Sequence, residues 1–260
     1  MKQVAWVTGA SSGIGEEVCK QLAKQGVSIV LSARNEEQLQ LICSSLPDSE
    51  SHLVLPLDLE HSENFVQLTQ IVVEKMGRID FVYHCGGLSQ RSFASETSLD
   101  VDRRIMEINY FGTVALTKAV IPVFQRQKSG HFIAISSIAG KFGFYLRSAY
   151  SASKHALHGF FESVMLEEAR NNIRVTIACP GKINTPISTH ALGKNGEAHG
   201  LMDHNQSTGM SVEECVSILI KAVDQNKREV LIGNREIKAV YLKRFFPKLF
   251  WKIIAKQSAT

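Results

Sequence analysis

Tyr150 and Lys154 stand four residues apart in the stretch from Ser148 to Lys154. On a helix that spacing puts both side chains on one face, one turn apart. A phenol is normally too weak an acid to trade protons near neutral pH. A neighbouring ammonium favours the phenolate, so the pair has the chemistry of a proton donor and acceptor. Tyrosine and lysine at this spacing also occur on helices simply as snorkelling side chains. What decides between the two readings lies at the start of the chain.

The apolar run Val4-Ala5-Trp6-Val7 reads as a buried strand, followed by Thr8-Gly9-Ala10-Ser11-Ser12-Gly13-Ile14-Gly15 and a helical pattern through Val18, Leu22 and Ala23. A strand, a glycine turn and a helix N-terminus together form a seat for a dinucleotide pyrophosphate. The glycines permit close backbone approach, and the helix end offers unpaired N–H groups. The spacing here is G-x-x-x-G-x-G rather than the commoner G-x-G-x-x-G.

These two motifs resemble the short-chain dehydrogenase/reductase family, which carries T-G-x-x-x-G-x-G near its N-terminus and Y-x-x-x-K near its middle. Ser137, thirteen residues before Tyr150, matches the family's catalytic serine, and Asn109 its catalytic asparagine. Pro180-Gly181, with Ile183 and Thr185 after it, matches the segment that follows a late strand. The resemblance spans about residues 3 to 235 and points most closely to a subgroup of hydroxysteroid and retinol dehydrogenases at membrane surfaces. It implies hydride exchange between nicotinamide and a carbonyl/alcohol pair. In that chemistry Tyr150 moves the proton, Lys154 depresses the tyrosine pKa and bonds the nicotinamide ribose, Ser137 orients the substrate oxygen, and Asn109 holds a water behind Lys154.

The resemblance also assigns a cofactor set: Thr8, Gly9, Ser11, Ser12, Gly13, Ile14 and Gly15 in the turn, Arg34 after the second strand, and Asp58 and Leu59 beside the adenine. Cys85, Gly86 and Gly87 follow the fourth strand, and Tyr150, Lys154, Pro180, Gly181, Ile183 and Thr185 complete it. NAD-using enzymes of this kind usually place an acid at the end of the second strand. Here Leu31-Ser32-Ala33-Arg34-Asn35 has none, and a guanidinium suits a 2′-phosphate. NADP(H) is therefore expected over NAD(H). One departure stands out. Where the family reads N-N-A-G, this chain has His84-Cys85-Gly86-Gly87.

Strand and helix patterns alternate along the chain. Strands are expected at Ser28 to Ser32, Leu53 to Leu57, Phe81 to His84, His131 to Ile135, Arg174 to Cys179 and Val230 to Gly233. Helices are expected at Glu36 to Ser45, from about Ser62 to Met76, Asp102 to Phe124, through Tyr150 to Asn171, and Val212 to Gln225. Alternation of this kind implies an α/β fold, a single-domain Rossmann-type doubly wound parallel sheet with helices on both faces. The expected organisation is a catalytic domain over 1–236, with a substrate lid at about 184–210, and a basic amphipathic helical tail over 237–260. The lid stretch lacks periodicity and follows a strand's carboxyl end, where ligands bind in open sheets. Its His190, His199 and His204 lack metal-ligand spacing, and no metal is expected.

The composition, 44% hydrophobic and 21% charged, is that of an ordinary globular protein. An odd number of cysteines, five, with no CxxC pair argues for a reducing compartment and against a disulfide scaffold. The first strand begins almost at once, which leaves no expected signal peptide, so an intracellular location is expected, cytoplasmic or peripheral on a membrane facing the cytosol. The net charge of +4 is carried by the tail, where six cations and no acid lie within residues 237–260. The rest has 23 cations and 25 anions, giving no reason to expect nucleic acid as a partner.

Phe142, Phe144, Tyr145 and Leu146 are expected to line an apolar pocket for a small apolar carbonyl or alcohol, steroid- or retinoid-like. In the tail, Arg244, Lys248, Lys252 and Lys256 recur every four residues among Phe245, Phe246, Leu249, Phe250, Trp251, Ile253 and Ile254. Such a stripe suits a membrane interface over residues 237–256, or docking on the domain or a second subunit. Pro247 interrupts it or begins a new helix. The resemblance implies a homodimer or homotetramer through the Asp102 and Tyr150 helices. A 3-ketoacyl reductase is the nearest alternative, and a catalytically weak dinucleotide-binding sensor or scaffold the alternative of another class.

Overall fold

The computed structural model describes residues 2–256, so the Met1 and 257–260 ends of the two expected segments lie outside the described residues. Seven strands form one parallel sheet: β1 (Val4–Thr8), β2 (Ser28–Ser32), β3 (Leu53–Val54), β4 (Phe81–His84), β5 (Gly130–Ile135), β6 (Ile173–Pro180) and β7 (Glu229–Ile232). Their order is β3-β2-β1-β4-β5-β6-β7. Strand order therefore reverses between β1 and β4, where Thr8 pairs with both Ser32 and His84. In open α/β sheets the crevice outside such a switch point receives the ligand.

Both faces of the sheet are covered, which explains why its strands read as apolar runs rather than alternating ones. On one face, Val18 and Leu22 of α1 (Gly13–Lys24), Leu39 of α2 (Glu36–Ser45) and Val216 and Leu219 of α8 (Val212–Asp224) pack on β1, β2 and β5. On the other, Phe65 and Leu68 of α3 (Phe65–Met76), Leu116 and Phe124 of α5 (Gly112–Gln127) and Phe161 of α6 (Ser148–Glu167) pack around Trp6 and Phe132. The Trp6 indole donates to Ser32 Oγ at 2.8 Å, and that hydroxyl donates to the Leu55 carbonyl at 2.6 Å.

The structure corrects several expected boundaries. The third strand pairs only over Leu53–Val54, although the N–H groups of Leu55 and Leu57 still donate to the Leu31 and Ala33 carbonyls. The helix expected from Asp102 begins earlier, at Leu99, behind Ser98, whose hydroxyl accepts from Val101 N–H. That helix (α4, Leu99–Met106) passes through a π-helical turn, Glu107–Phe111, into α5. The Tyr150 helix stops at Glu167, and a 3₁₀ turn carries the chain to Asn171. Within 184–210 the chain forms a 3₁₀ turn at Pro186–Ser188 and one short helix, α7 (His204–Ser207). The tail folds as α9 (Lys238–Phe245) and α10 (Pro247–Ile254), and Pro247 occupies the first position of the second helix. No helix of the described residues is long and apolar enough to cross a membrane.

Candidate active site

The strand ends at the switch point open into a cavity of about 760 Å³. Its floor is the glycine turn: Thr8, Gly9, Ser11, Ser12, Gly13, Ile14 and Gly15 all line it. The turn is closed tightly on itself. A Cβ on Gly15 would lie 2.2 Å from the Gly9 carbonyl oxygen, and one on Gly9 would lie 2.7 Å from Gly86 N. Gly9 and Gly13 also have positive φ, 65° and 53°, which side-chain-bearing residues rarely adopt. Arg34, Asp58, Leu59, Cys85, Gly86, Gly87, Tyr150 and Lys154 line the walls of the cavity, with Gly86 so close to Leu59 that a Cβ there would lie 2.6 Å from Leu59 Cδ1. Pro180, Gly181, Ile183 and Thr185 close its side.

Sequence reasoning missed Asn35 and Gln38, which flank Arg34, and Ile187 and His190 opposite. Asn35 and Gln38 were open to discovery as neighbours of Arg34 at a helix start, where Asn35 Oδ1 accepts from Gln38 N–H at 3.0 Å. The residues present fit a dinucleotide. A glycine-rich strand-to-helix turn lines the cavity, and a guanidinium rather than an acid stands just after β2.

A second cavity, of about 720 Å³, adjoins the first. Ser137, Tyr150, Gly181 and Ile187 line both, so they form the common wall. The far side of this second space is apolar. Phe142 and Phe144 line it with Leu242, Phe245, Phe246, Phe250, Ile253 and Ile254 of the tail. Phe250 is fully covered, its ring 5.0 Å from that of Phe142. The tail thus docks on the domain and builds a pocket wall. Two expected wall residues are displaced from it: Tyr145 is exposed and Leu146 takes a left-handed backbone, φ 60°, which turns the chain before α6.

The Tyr150 helix is held at its start by Gln90, whose Oε1 accepts from Ala149 N–H at 2.8 Å. Lys154, buried one turn on, donates to the Ile135 carbonyl at 2.8 Å, at the end of β5. Burial lowers its pKa to about 8. Tyr150 is pushed the other way, above the usual phenol range, by burial. The groups that pull it back are the Ser137 hydroxyl and the guanidiniums of Arg147 and Arg91. The two guanidiniums add a cationic field on the phenol that comes from outside the Tyr150–Lys154 motif.

Asn109 lies in the π-helical turn, a distortion that often marks functional positions. It lines neither cavity directly. Its Oδ1 accepts from Leu88 N–H at 2.7 Å, while Nδ2 donates to the Leu88 carbonyl and to Ser153 Oγ, each at 2.9 Å. Gly87 lies between it and the lysine; a Cβ there would meet Asn109 Oδ1 at 3.0 Å and Lys154 Nζ at 3.5 Å.

At the altered segment, His84 is buried between Phe132 and Phe161, and Nε2 lies 3.0 Å from Thr117 Oγ1. Burial lowers its pKa to about 3, so it is neutral, and its Nδ1 has no hydrogen-bond partner. Burial raises the Cys85 thiol far above its ordinary value, which makes it an inert wall residue rather than a nucleophile. Among the described residues no group of three or more His, Cys, Asp or Glu is arranged to hold a metal ion.

The short chain dehydrogenase family model matches residues 3–195. A dehydrogenase/reductase SDR family protein 7-like protein of Anopheles gambiae is 38% identical over 98% of this chain and 83% of its own length. Dehydrogenase/reductase SDR family member 7 of Homo sapiens is 40% identical over 97% of this chain and 77% of its own. Among solved structures, a short-chain dehydrogenase from Streptomyces avermitilis superposes with a TM-score of 0.83 over 98% of both chains at 24% identity, a likeness of fold. An actinorhodin polyketide ketoreductase variant with NADPH superposes with a TM-score of 0.69 at 31% identity, over 72% of this chain and 73% of its own. With the glycine turn, the tyrosine–lysine helix and these relatives in hand, the chain belongs to the short-chain dehydrogenase family and is an oxidoreductase of that family.

Proposed function

We propose that the protein is an NADP(H)-dependent oxidoreductase that transfers hydride between nicotinamide and a carbonyl or secondary alcohol of a lipid-like substrate. The observation that carries this is the shared wall: Ser137 and Tyr150 face both the glycine-lined cavity and the apolar one. A substrate in the second and a cofactor in the first would meet there. When bound, the nicotinamide supplies or accepts the hydride. In reduction, Tyr150 Oη gives its proton to the carbonyl oxygen as the new C–H bond forms; in oxidation, the phenolate takes the hydroxyl proton. Ser137 orients the same oxygen. Lys154 holds a proton one turn from the phenol and faces the cofactor cavity, where it would bond a ribose hydroxyl. Asn109 clamps Leu88 and Ser153, fixing Gly87 beside Lys154.

Arg34, with Asn35 and Gln38 beside it, supports a 2′-phosphate at the adenosine end. The wall of Phe142, Phe144 and tail residues supports a steroid-, retinoid- or similarly apolar carbonyl. The reading takes residues 1–236 as the catalytic unit, 184–210 as a lid over the shared wall, and 237–260 as a tail whose described residues, to Ile254, close the pocket. Tyr241, Phe245, Phe246, Leu249 and Trp251 of that tail stay exposed among cations, which supports a peripheral membrane contact through residues 237–256. Exposed Leu99, Phe111 and Leu166 on and beside the α4 and α6 helices support a homodimer or homotetramer.

A second reading, 3-ketoacyl reduction, is favoured by the likeness to a polyketide ketoreductase. Oxidation of NADPH and NADH, followed with steroid, retinoid, quinone and ketoacyl carbonyls, tests both readings. Turnover of apolar ketones with NADPH supports the first, and turnover confined to ketoacyl thioesters the second. Turnover with NADH alone would refute the cofactor assignment.

A further inference from the structure

The cavity beside Tyr150 has one strongly charged corner that proton and hydride transfer leave unused. Arg91, Arg147 and Asp203 meet there from three separate segments. Arg91 Nε, in the stretch after β4, donates to Asp203 Oδ2 at 2.9 Å, and Arg147 Nη2, just before α6, donates to the same oxygen at 2.9 Å. Arg91 Nη1 also donates to Ser89 Oγ at 2.7 Å and to the Gln90 carbonyl at 2.6 Å. The side chains of Arg91, Asp203 and Arg147 are 2%, 1% and 13% exposed. Charges withdrawn this far from water persist only while paired, and loss of one partner leaves an uncompensated buried charge.

Asp203 belongs to the segment over 184–210, which is otherwise tied down mainly by backbone bonds. Leu192 N–H donates to the Ser89 carbonyl and Arg91 N–H to the Leu192 carbonyl, both at 2.9 Å. Nearer its start, Thr185 and Ile187 wall the glycine-lined cavity. The ion pairs thus connect this segment to the residue that precedes the Tyr150 helix.

We infer that Asp203 is a positioning residue for the reaction at Tyr150: by bridging Arg91 and Arg147 it straps the 184–210 segment across the substrate cavity and holds a charge-compensated guanidinium pair against the catalytic phenol. This rests on Tyr150 being the proton-transfer group. Both guanidiniums favour phenolate, and the carboxylate between them offsets that field. The other charged and titratable groups around the phenol are few. Lys154 comes from its own helix, His199 stands 3.9 Å behind Asp203, and Lys182, Arg235, Glu236 and Lys238 line the cavity farther along. Replacing Asp203 with asparagine keeps the shape but removes the offset. The phenol then becomes more acidic and the Lys154 ammonium less stable, so both effects move the alkaline limb of carbonyl reduction to lower pH.

The test compares wild type, Asp203→Asn, Asp203→Glu and Arg147→Gln in pH profiles of kcat/KM for carbonyl reduction, with KM for each substrate. Asp203→Asn is expected to lower the alkaline limb by roughly half a unit or more, and to raise the carbonyl KM about tenfold. Asp203→Glu restores part of both. Arg147→Gln, which removes one cation from a less buried site, is expected to move the limb upward, and it decides the matter should Asp203→Asn not fold. A folded Asp203→Asn with the wild-type limb and KM, or an Arg147→Gln with an unmoved limb, overturns the inference. Tyr150→Phe is run in parallel: wild-type rates there would refute the role of Tyr150 itself, a failure distinct from that of Asp203.

Discussion

The Lys154 ammonium stands 5.8 Å from the centroid of the Tyr150 ring and is tied to the Ile135 carbonyl at the end of β5. The sheet, rather than the helix alone, therefore fixes the lysine beside the phenol. Its burial lowers its pKa to about 8, within reach of ordinary assay conditions.

A first prediction concerns pH. Above about 8 the lysine loses its proton, and carbonyl reduction should fall with a single ionisation belonging to the coupled lysine–tyrosine pair. Lys154→Arg, always charged, should move that limb beyond the measured range, at a lower maximal rate. The linkage to stability has the opposite sense. The unfolded lysine keeps its proton up to its ordinary value while the folded one releases it, so this group's destabilisation is full below about 8 and fades as pH rises. Urea unfolding at a series of pH values, in wild type and Lys154→Met, isolates this contribution.

A second prediction concerns the cofactor. Arg34→Glu places a carboxylate where a 2′-phosphate would sit. Loss of a charge-assisted contact of this kind corresponds to roughly 1.5–3 kcal/mol, so NADPH affinity should fall about tenfold or more. NADH affinity should hold or rise. Tryptophan-quenching titrations with each dinucleotide measure both, and equal loss for the two would contradict the role of Arg34.

A third prediction concerns the turn. Because a Cβ on Gly15 would lie 2.2 Å from the Gly9 carbonyl, Gly15→Ala must push the turn open. Dinucleotide binding should be lost while Tyr150 and its helix remain folded, as circular dichroism and the titration above would report.

How much of this was legible in the sequence follows the range of each interaction. The glycine turn, the Tyr150–Lys154 spacing and Ser137 are local patterns, and every cofactor position read from them lines the first cavity. Tyr145 and Leu146 were misread as pocket wall because a left-handed residue before α6 is invisible to hydropathy. The arginine field on Tyr150 was hidden for a different reason. Arg91 and Asp203 are 112 residues apart, and only folding brings the guanidinium to the phenol. The tail's amphipathic stripe was evident, but not that Phe250 would seat on Phe142 and wall the second cavity.

That seat yields a fourth prediction. Phe250→Ala should destabilise the protein by about 3 kcal/mol, as for other buried phenylalanines, and raise KM most for the bulkiest apolar ketones. The exposed Lys248 and Lys252 offer a separate handle. Lys248→Glu with Lys252→Glu should abolish sedimentation with anionic liposomes and leave turnover of soluble ketones unchanged. Liposome binding equal to wild type would remove the membrane role of the tail.

The most direct test is NADPH oxidation by Tyr150→Phe across the carbonyl panel, with dinucleotide affinity measured on the same preparation. A positioned proton donor is worth about 10²–10⁴-fold. The expected result is a loss of that size for every substrate that wild type reduces, with dinucleotide binding nearly unchanged. Wild-type rates in Tyr150→Phe would contradict the account at its centre.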